Sequence, residues 1–401
     1  MYEIMSADEA IRLIRDGDCI CVNSFVGIEN PTELHEAIYR RYQKMQSPTH
    51  LTMISSAGFG VWDEEHNAEG YIREGAVDKL ICGHFGAMPS TKKLVLEDRF
   101  EAYNLPLGCI SHAIRAQAGG LPGALSKVGL DIFVDPRREG PGINRVSIDD
   151  SLVKHVEVDG DEFLYYKLPK ITIALIKGTA ADRKGNITFD DMFMSGDALS
   201  ICQAVKANRG KVIVQVDRLV DTPSRPRNAI IPGCLVDAIV VAEPEEKNEA
   251  YKALTGSFEI PYEEWNQWSE KLEQVSAKQS KNTTVANIIG KRAAKELRVD
   301  DIVNIGIGIP EMVSRYARKS GMLDMVTLTV ESGGIGGFPV SGEAFGAMIG
   351  AASVYDMANQ FDLYDNGGLD GCFMGALGVY KEGKINVPRV PGGVGGKVGF
   401  A

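Results

Sequence analysis

Two rhythms of apolar and polar positions run through this chain. Short, nearly continuous apolar runs recur at residues 19–22, 211–216, 238–242, 302–305 and 325–330, each bounded by polar residues or glycine. Runs of this kind mark strands buried on both faces, as in a parallel sheet. Between them lie stretches with helical spacing. Residues 6–15 read as a capped amphipathic helix, Pro31 opens a second, and residues 285–297 and 311–319 give two more. Strand-like and helix-like stretches alternate, which predicts an α/β doubly wound architecture. Ligands in such folds bind at the carboxyl ends of the strands.

An internal echo refines this. The early helix leads through the turn Asp16-Gly17-Asp18 into the strand at 19–22, then into the loop Asn23-Ser24-Phe25-Val26-Gly27-Ile28. The helix at 285–297 leads through Val299-Asp300-Asp301 into the strand at 302–305, then into the loop Gly306-Ile307-Gly308-Ile309-Pro310. Val22-Asn23 aligns with Val303-Asn304, and Gly27-Ile28 with Gly308-Ile309. Residues 174–178 and 184–188 resemble residues 376–386 in the same order. Two ordered echoes predict two similar doubly wound α/β lobes. Residues 251–284, polar and charged with Trp265 and Trp268, read as the joint, so the expected domains are 1–250, a linker at 251–284, and 285–401.

Composition changes the picture in three places. A chain of 401 residues with 44% apolar and 24% charged positions can bury two or more cores. A net charge of −11 argues against nucleic acid or an anionic membrane as partner. The seven cysteines are dispersed, without a CxxC, and read as reduced core thiols of a cytoplasmic protein. The first ten residues lack the basic and apolar regions of a signal peptide, and no apolar run approaches the length of a membrane span.

The strongest chemical signal is residues 325–339. A buried strand runs into Glu331 and then into Gly333, Gly334, Gly336 and Gly337. This places a carboxylate at a strand's carboxyl end, beside glycines that let a substrate chain approach the backbone and expose N–H donors. Such a carboxylate can be a base, a metal ligand or a nucleophile. The nearest flanking acid is Asp324, before the strand, so no carboxylate pair or metal cluster is local to it. The plainer reading has Glu331 capping the following turn. Nucleotide fingerprints fail: the glycines at 306, 308, 334 and 336 lack the GxGxxG spacing, and Lys397 is followed by Val398 rather than Ser or Thr. The histidines match no zinc spacing. His84 and His112 read first as structural, and the Met and Phe residues of 345–357 as helix core.

The stretch Glu331-x-Gly333-x-x-Gly336, with its flanks Thr327-Leu328-Thr329-Val330 and Gly337-Phe338-Pro339, resembles the E-x-G-x-x-G motif of family I coenzyme A transferases. The loop Val303 to Pro310, the segments 364–370 and 375–378, and, in the first half, 127–136 and 185–189 are similar to the same family. The nearest branch is the fused-chain acetate or propionate CoA-transferases. The resemblance implies that Glu331 is a covalent nucleophile that carries CoA as a glutamyl thioester. It implies acyl-CoA and short-chain carboxylates as substrates, no permanently bound cofactor, no metal and a homo-oligomer. It assigns Ser24, Phe25, Val26 and Gly27 to substrate and oxyanion contacts. Asn304, Gly306, Gly308, Ile309, Pro310, Gly333, Gly336, Gly367, Gly368 and Gly395 are the expected CoA contacts. Leu107 stands where relatives often carry a glutamine that binds the substrate carboxylate, and it cannot donate a hydrogen bond. The chain also ends earlier than fused relatives usually do. Competing readings are an acyl-CoA hydrolase on the same scaffold and a weakly active, ligand-binding relative.

Overall fold

The computed structural model describes residues 2–59, 68–86, 88–242 and 284–376, and short stretches at 378–383, 385–386, 389–390 and 393–394. The expected linker, apart from Thr284, and Gly395 lie outside the described residues.

The apolar runs form parallel strands as their pattern demands. Strands β1 (Glu3–Ile4), β2 (Cys19–Val22), β3 (Leu51–Ser55), β4 (Val77–Cys82), β5 (Glu101–Asn104), β9 (Ile173–Asp182), β11 (Lys211–Val220) and β13 (Ala238–Val241) lie in the order β1-β13-β11-β9-β2-β3-β4-β5. Every neighbouring pair along this path is parallel. Within β2, Cys19 and Cys21 enter one apolar cluster and Ile20 and Val22 another, on the opposite face. That two-sided burial is why the strand shows no polar alternation. Helices α2 (Thr32–Met45), α5 (Leu107–Ala118) and α6 (Ala198–Ala207) belong to these layers. Between β5 and β9 the chain forms a separate antiparallel sheet from β6 (Ala124–Ser126), β7 (Val153–Val158) and β8 (Asp161–Tyr166). No periodicity in the sequence announced it.

The strand order reverses at β2. From there the chain winds outward through β3, β4 and β5, then returns to β9 on the other side. The loop after β2 therefore emerges at the topological switch point, where doubly wound sheets hold ligands.

The second sheet starts as the echo predicts. Helix α7 (Thr284–Ala293) leads to β14 (Ile302–Ile305), a glycine-containing loop, and α8 (Glu311–Lys319). Strand β15 (Thr327–Thr329) and β20 (Gly371–Phe373) are parallel to β14. Between them in sequence, β16 (Gly334–Ile335) runs antiparallel to β15 and β19 (Ser353–Val354) antiparallel to β16, so the sheet β19-β16-β15-β14-β20 is mixed. The segment read as helix core, 345–357, is instead turns and short strands, including β18 (Met348–Ile349) paired with β17 (Phe338–Pro339). Gly346 (φ 103°) and Gly350 (φ 56°) adopt left-handed backbone there, which an α-helix excludes. Helix α9 (Met357–Asp365) begins only at its end.

The two sheets meet across one apolar cluster. Phe25, Val26, Ile28, Leu107 and Phe193 come from the first, and Phe338, Phe345, Met357, Phe361 and Tyr364 from the second. Gly108 in α5 permits the contact: a Cβ there would lie 2.5 Å from the Phe361 ring. Around this apolar centre, Met357 N–H donates to the Gly196 carbonyl (3.0 Å). Arg115 pairs with Asp362 (3.0 Å). Both members of that ion pair are well exposed, so it contributes at most about 1 kcal/mol; the buried rings carry the association. Phe361→Ala is expected to lower unfolding free energy by about 3–5 kcal/mol in urea titration, and Arg115→Ala by less than about 1 kcal/mol.

Candidate active site

Glu331 lies two residues beyond β15, in the tight turn that sends the chain back into β16. Gly333 N–H donates to the Val330 carbonyl (3.1 Å), and Val330 N–H to Gly334 (3.1 Å). Gly333 is required here. Its φ is 117°, and a Cβ would sit 2.0 Å from the Tyr355 carbonyl oxygen. Gly336 is also left-handed (φ 75°). Ser332 donates to the Gly346 carbonyl and so fixes the turn to the loop that follows β17.

The Glu331 side chain is buried, 6% exposed, and its Oε2 accepts no hydrogen bond among the described residues. Burial pushes its carboxyl up from the ordinary 4.5 to about 7, opposed only by a hydrogen bond from its own backbone N–H. No described cation pairs with it. A turn cap would accept hydrogen bonds and hold a low pKa. The plainer reading of Glu331 therefore does not fit.

Near the carboxylate is a buried polar cluster. The Tyr364 hydroxyl accepts from Asn304 Nδ2 (3.2 Å) and Gln360 Nε2 (2.6 Å), and donates to Thr329 Oγ1 (2.8 Å). Asn304 and Thr329 are register partners on β14 and β15. Burial, and next the field of Glu331, raise the Tyr364 pKa, so this hydroxyl keeps its proton beside the carboxylate. Cys372, opposite Asn304 on β20, is likewise raised by burial and by Glu331.

The loop after β2 faces this turn through Gly346. A Cβ on Gly346 would meet the Phe25 ring at 2.5 Å and Ile28 at 3.2 Å. Phe25 and Ile28 exchange backbone hydrogen bonds (3.1 and 2.9 Å). The two-residue turn between them holds Val26 at φ 51°, an outlier for a β-branched residue. Val26 N–H is taken by the Ala57 carbonyl (3.3 Å), while Gly27 N–H meets no acceptor among the described residues. A strained turn with a free donor can stabilise a developing oxyanion. Ser24 turns inward, its hydroxyl donating to the Gly58 carbonyl (2.6 Å).

A cavity of about 670 Å³ opens alongside, lined by Ile307, Gly308, Ile309, Pro310, Met374 and, from α4 (Pro89–Leu96), Lys92. Gly308 N–H is fixed by the Glu311 carboxylate (2.7 Å). Gly306 packs on β20, and a Cβ there would lie 2.9 Å from the Phe373 carbonyl. Of the residues expected to contact CoA, the loop 304–310 and Gly333 follow β14 and β15 at the carboxyl end of those strands. Gly336 lies beside the middle of β15, its N–H donating to the Leu328 carbonyl (2.8 Å). Gly367 and Gly368 are not at the carboxyl end. These precede β20, which is parallel to β14, and so lie at the sheet's amino end. Their N–H groups close α9, bonding to Tyr364 and Leu363 carbonyls (3.1 and 2.9 Å). Leu107 sits in the first turn of α5, buried in the seam cluster as an apolar wall. Tyr364, Gln360 and Thr329 were missed from sequence. The signals were the family-like flank 327–330 and segment 364–370, which hold Thr329 and Tyr364, and the alignment of Asn304 with Asn23, two buried asparagines at equivalent strand ends.

The family model described as Coenzyme A transferase matches residues 4–242, and the chain belongs to that family, in its family I form. It is 36% identical to acetate CoA-transferase YdiF of Escherichia coli, over 99% of this chain and 73% of the relative. It is also 36% identical to caffeate CoA-transferase of Acetobacterium woodii, over 98% and 74%. A solved structure of the acyl-CoA transferase YdiF from E. coli O157:H7, as a thioester complex with CoA, superposes with TM-score 0.84 at 33% identity, covering all of this chain and 73% of that one.

The raised Glu331 carboxyl has a stability consequence. Between pH 4.5 and 7 the unfolded carboxyl ionises while the folded one stays protonated, so stability falls as pH rises through that window and is level above it. The deficit is on the order of 3 kcal/mol. Glu331→Gln is therefore expected to melt above the wild type at pH 8, with the difference shrinking towards pH 4.5. A difference independent of pH in the same melting series would contradict this.

Proposed function

We propose that this chain transfers coenzyme A from a short-chain acyl-CoA to a free carboxylic acid through a thioester on Glu331. The observation that carries the reading is the Glu331 carboxylate itself: buried, with Oε2 unpartnered among the described residues. The named activities of the relatives, acetate and caffeate CoA transfer, support it.

In the ionised form Glu331 attacks the thioester carbonyl of acyl-CoA. The tetrahedral oxyanion is met by the Gly27 N–H, with the Ser24–Val26 backbone as its frame. Collapse breaks the C–S bond and leaves an acyl-glutamyl anhydride and CoA thiolate. The thiolate then attacks the glutamyl carbonyl, expelling the carboxylate of the first acid and forming glutamyl-CoA. An incoming acid carboxylate reverses both steps. Every bond broken is matched by one formed, so the scheme requires no metal, no cofactor and no net proton. Burial serves this chemistry because a carboxylate without hydrogen-bond donors is a stronger nucleophile than a solvated one. The cavity beside residues 306–310 would take the pantetheine arm, and Lys92 would meet an anionic group of CoA. Leu107 and Phe25 would pack the acyl chain. The halves 1–250 and 285–401 would then contribute the oxyanion frame and the nucleophile respectively. A cytoplasmic homo-oligomer is the setting this reading implies.

The direct test is incubation with acetyl-CoA followed by hydroxylamine or borohydride and peptide mass analysis. Modification confined to the Glu331 peptide is expected, and Glu331→Gln is expected to abolish both modification and CoA exchange. Full exchange by Glu331→Gln would refute the assignment. CoA release at the same rate without an acceptor acid would mark a hydrolase instead. Because the attacking form is the carboxylate, kcat/KM is expected to rise with pH through about 7 and level above it. Lys92→Ala is expected to raise KM for acyl-CoA several-fold with kcat little changed, since that contact is the same in ground and transition states.

A further inference from the structure

The buried acid that this mechanism leaves unused is Asp197. It precedes α6 but does not cap it; its side chain makes no bond to the helix. Instead, Oδ2 accepts from both the Ser56 hydroxyl (2.8 Å) and the Ser111 hydroxyl (2.8 Å). Its backbone N–H donates to Asn23 Oδ1 (2.8 Å), and Asn23 Nδ2 donates to the Ser195 carbonyl (3.2 Å). Asp197, Ser56, Ser111 and Asn23 are all buried. Gly196 admits the asparagine: a Cβ there would lie 2.3 Å from Asn23 Oδ1.

Both ends of this network lead to the strained turn. Asn23 immediately precedes Ser24. Ser56 immediately precedes Ala57, whose carbonyl holds Val26 N–H and which bridges to Phe25. The same 195–197 loop accepts Met357 N–H from the second lobe through Gly196. Two strand ends and the lobe seam are thus fixed to one side chain. Its other oxygen, Oδ1, has no partner among the described residues, so stability alone does not account for an acid here.

We infer that Asp197 is a positioning residue for the transfer reaction: by accepting the Ser56 and Ser111 hydroxyls while anchoring Asn23, it holds the Phe25–Ile28 turn in the conformation that presents the Gly27 N–H. This rests on the proposed role of that turn. The groups facing Asp197 are Cys21 on β2, Ser111 and His112 on α5, and Asp356 before α9. Burial pushes its carboxyl up to about 6, so it is mainly ionised at the pH where Glu331 reacts.

The test measures single-turnover formation of the Glu331 adduct from acetyl-CoA, steady-state kcat and KM, and melting temperature for Asp197→Ala, Asp197→Asn and Ser56→Ala. Asp197→Ala is expected to slow adduct formation and kcat by tenfold or more, with KM for acetyl-CoA within twofold. Asp197→Asn keeps an acceptor for both hydroxyls and is expected to recover most of the rate. Ser56→Ala, which keeps the acid and removes one donor, is expected to fall between, and it serves if Asp197→Ala does not fold. Adduct formation by Asp197→Ala or Ser56→Ala at the wild-type rate overturns the inference, as does an Asp197→Asn variant no faster than Asp197→Ala. If wild-type protein forms no Glu331 adduct at all, it is the functional reading that fails.

Discussion

The site depends on the exclusion of water from the seam between the two sheets. Glu331 is a perturbed carboxylate because it is buried and only its own backbone N–H opposes the effect of that burial, while Phe25, Leu107, Phe345 and Phe361 close the seam in one apolar cluster. The energetic logic runs in two directions. Burying the rings stabilises the association of the sheets, and the same burial destabilises the ionised acid enclosed with them. A salt bridge or a donor at Oε2 would relieve the second effect. Among the described residues, the structure supplies neither.

The two sheets contribute unequally in spite of their shared beginning. In the first, the strand–loop–helix unit at β2 ends in Asn23 and a tight turn that presents backbone donors. In the second, the equivalent unit at β14 ends in Asn304 and an open loop that lines a cavity. Each asparagine is buried and bonded into a polar cluster below its loop: Asn23 to Asp197 and Asn304 to Tyr364. The same arrangement, a strand end braced by an amide, thus lies under a tight turn on one side and a cavity-lining loop on the other. Electrostatics keeps the clusters apart in character. The first contains an acid that ionises below neutrality, the second a phenol that stays protonated beside Glu331.

Much of the architecture was legible because parallel strands buried on both faces leave a local signature. Residues 19–22, 302–305 and 311–319 fold as their patterns indicate. Glu331 was legible as a carboxylate at a strand end, and its expected role came from the resemblance of the surrounding motif to the family. Helical spacing misled at 345–357, where two left-handed glycines override an apolar stretch that otherwise suits a helix. Gly367 and Gly368 carried a functional expectation but end a helix, since glycine is demanded equally by both uses. The networks under the site could not be read at all. Asp197 meets Ser56 and Ser111 from 141 and 86 positions away, and nothing within a local window encodes that meeting.

Gly346 against Phe25 is a contact between parts of the chain more than three hundred positions apart. A polypeptide made from its amino end completes the first sheet well before residue 331 is synthesised, and domains generally fold as they emerge. Throughout that interval the Phe25–Ile28 turn exists without the loop that packs on it. That loop arrives only with the second sheet, so the apolar seam is completed in the final assembly step.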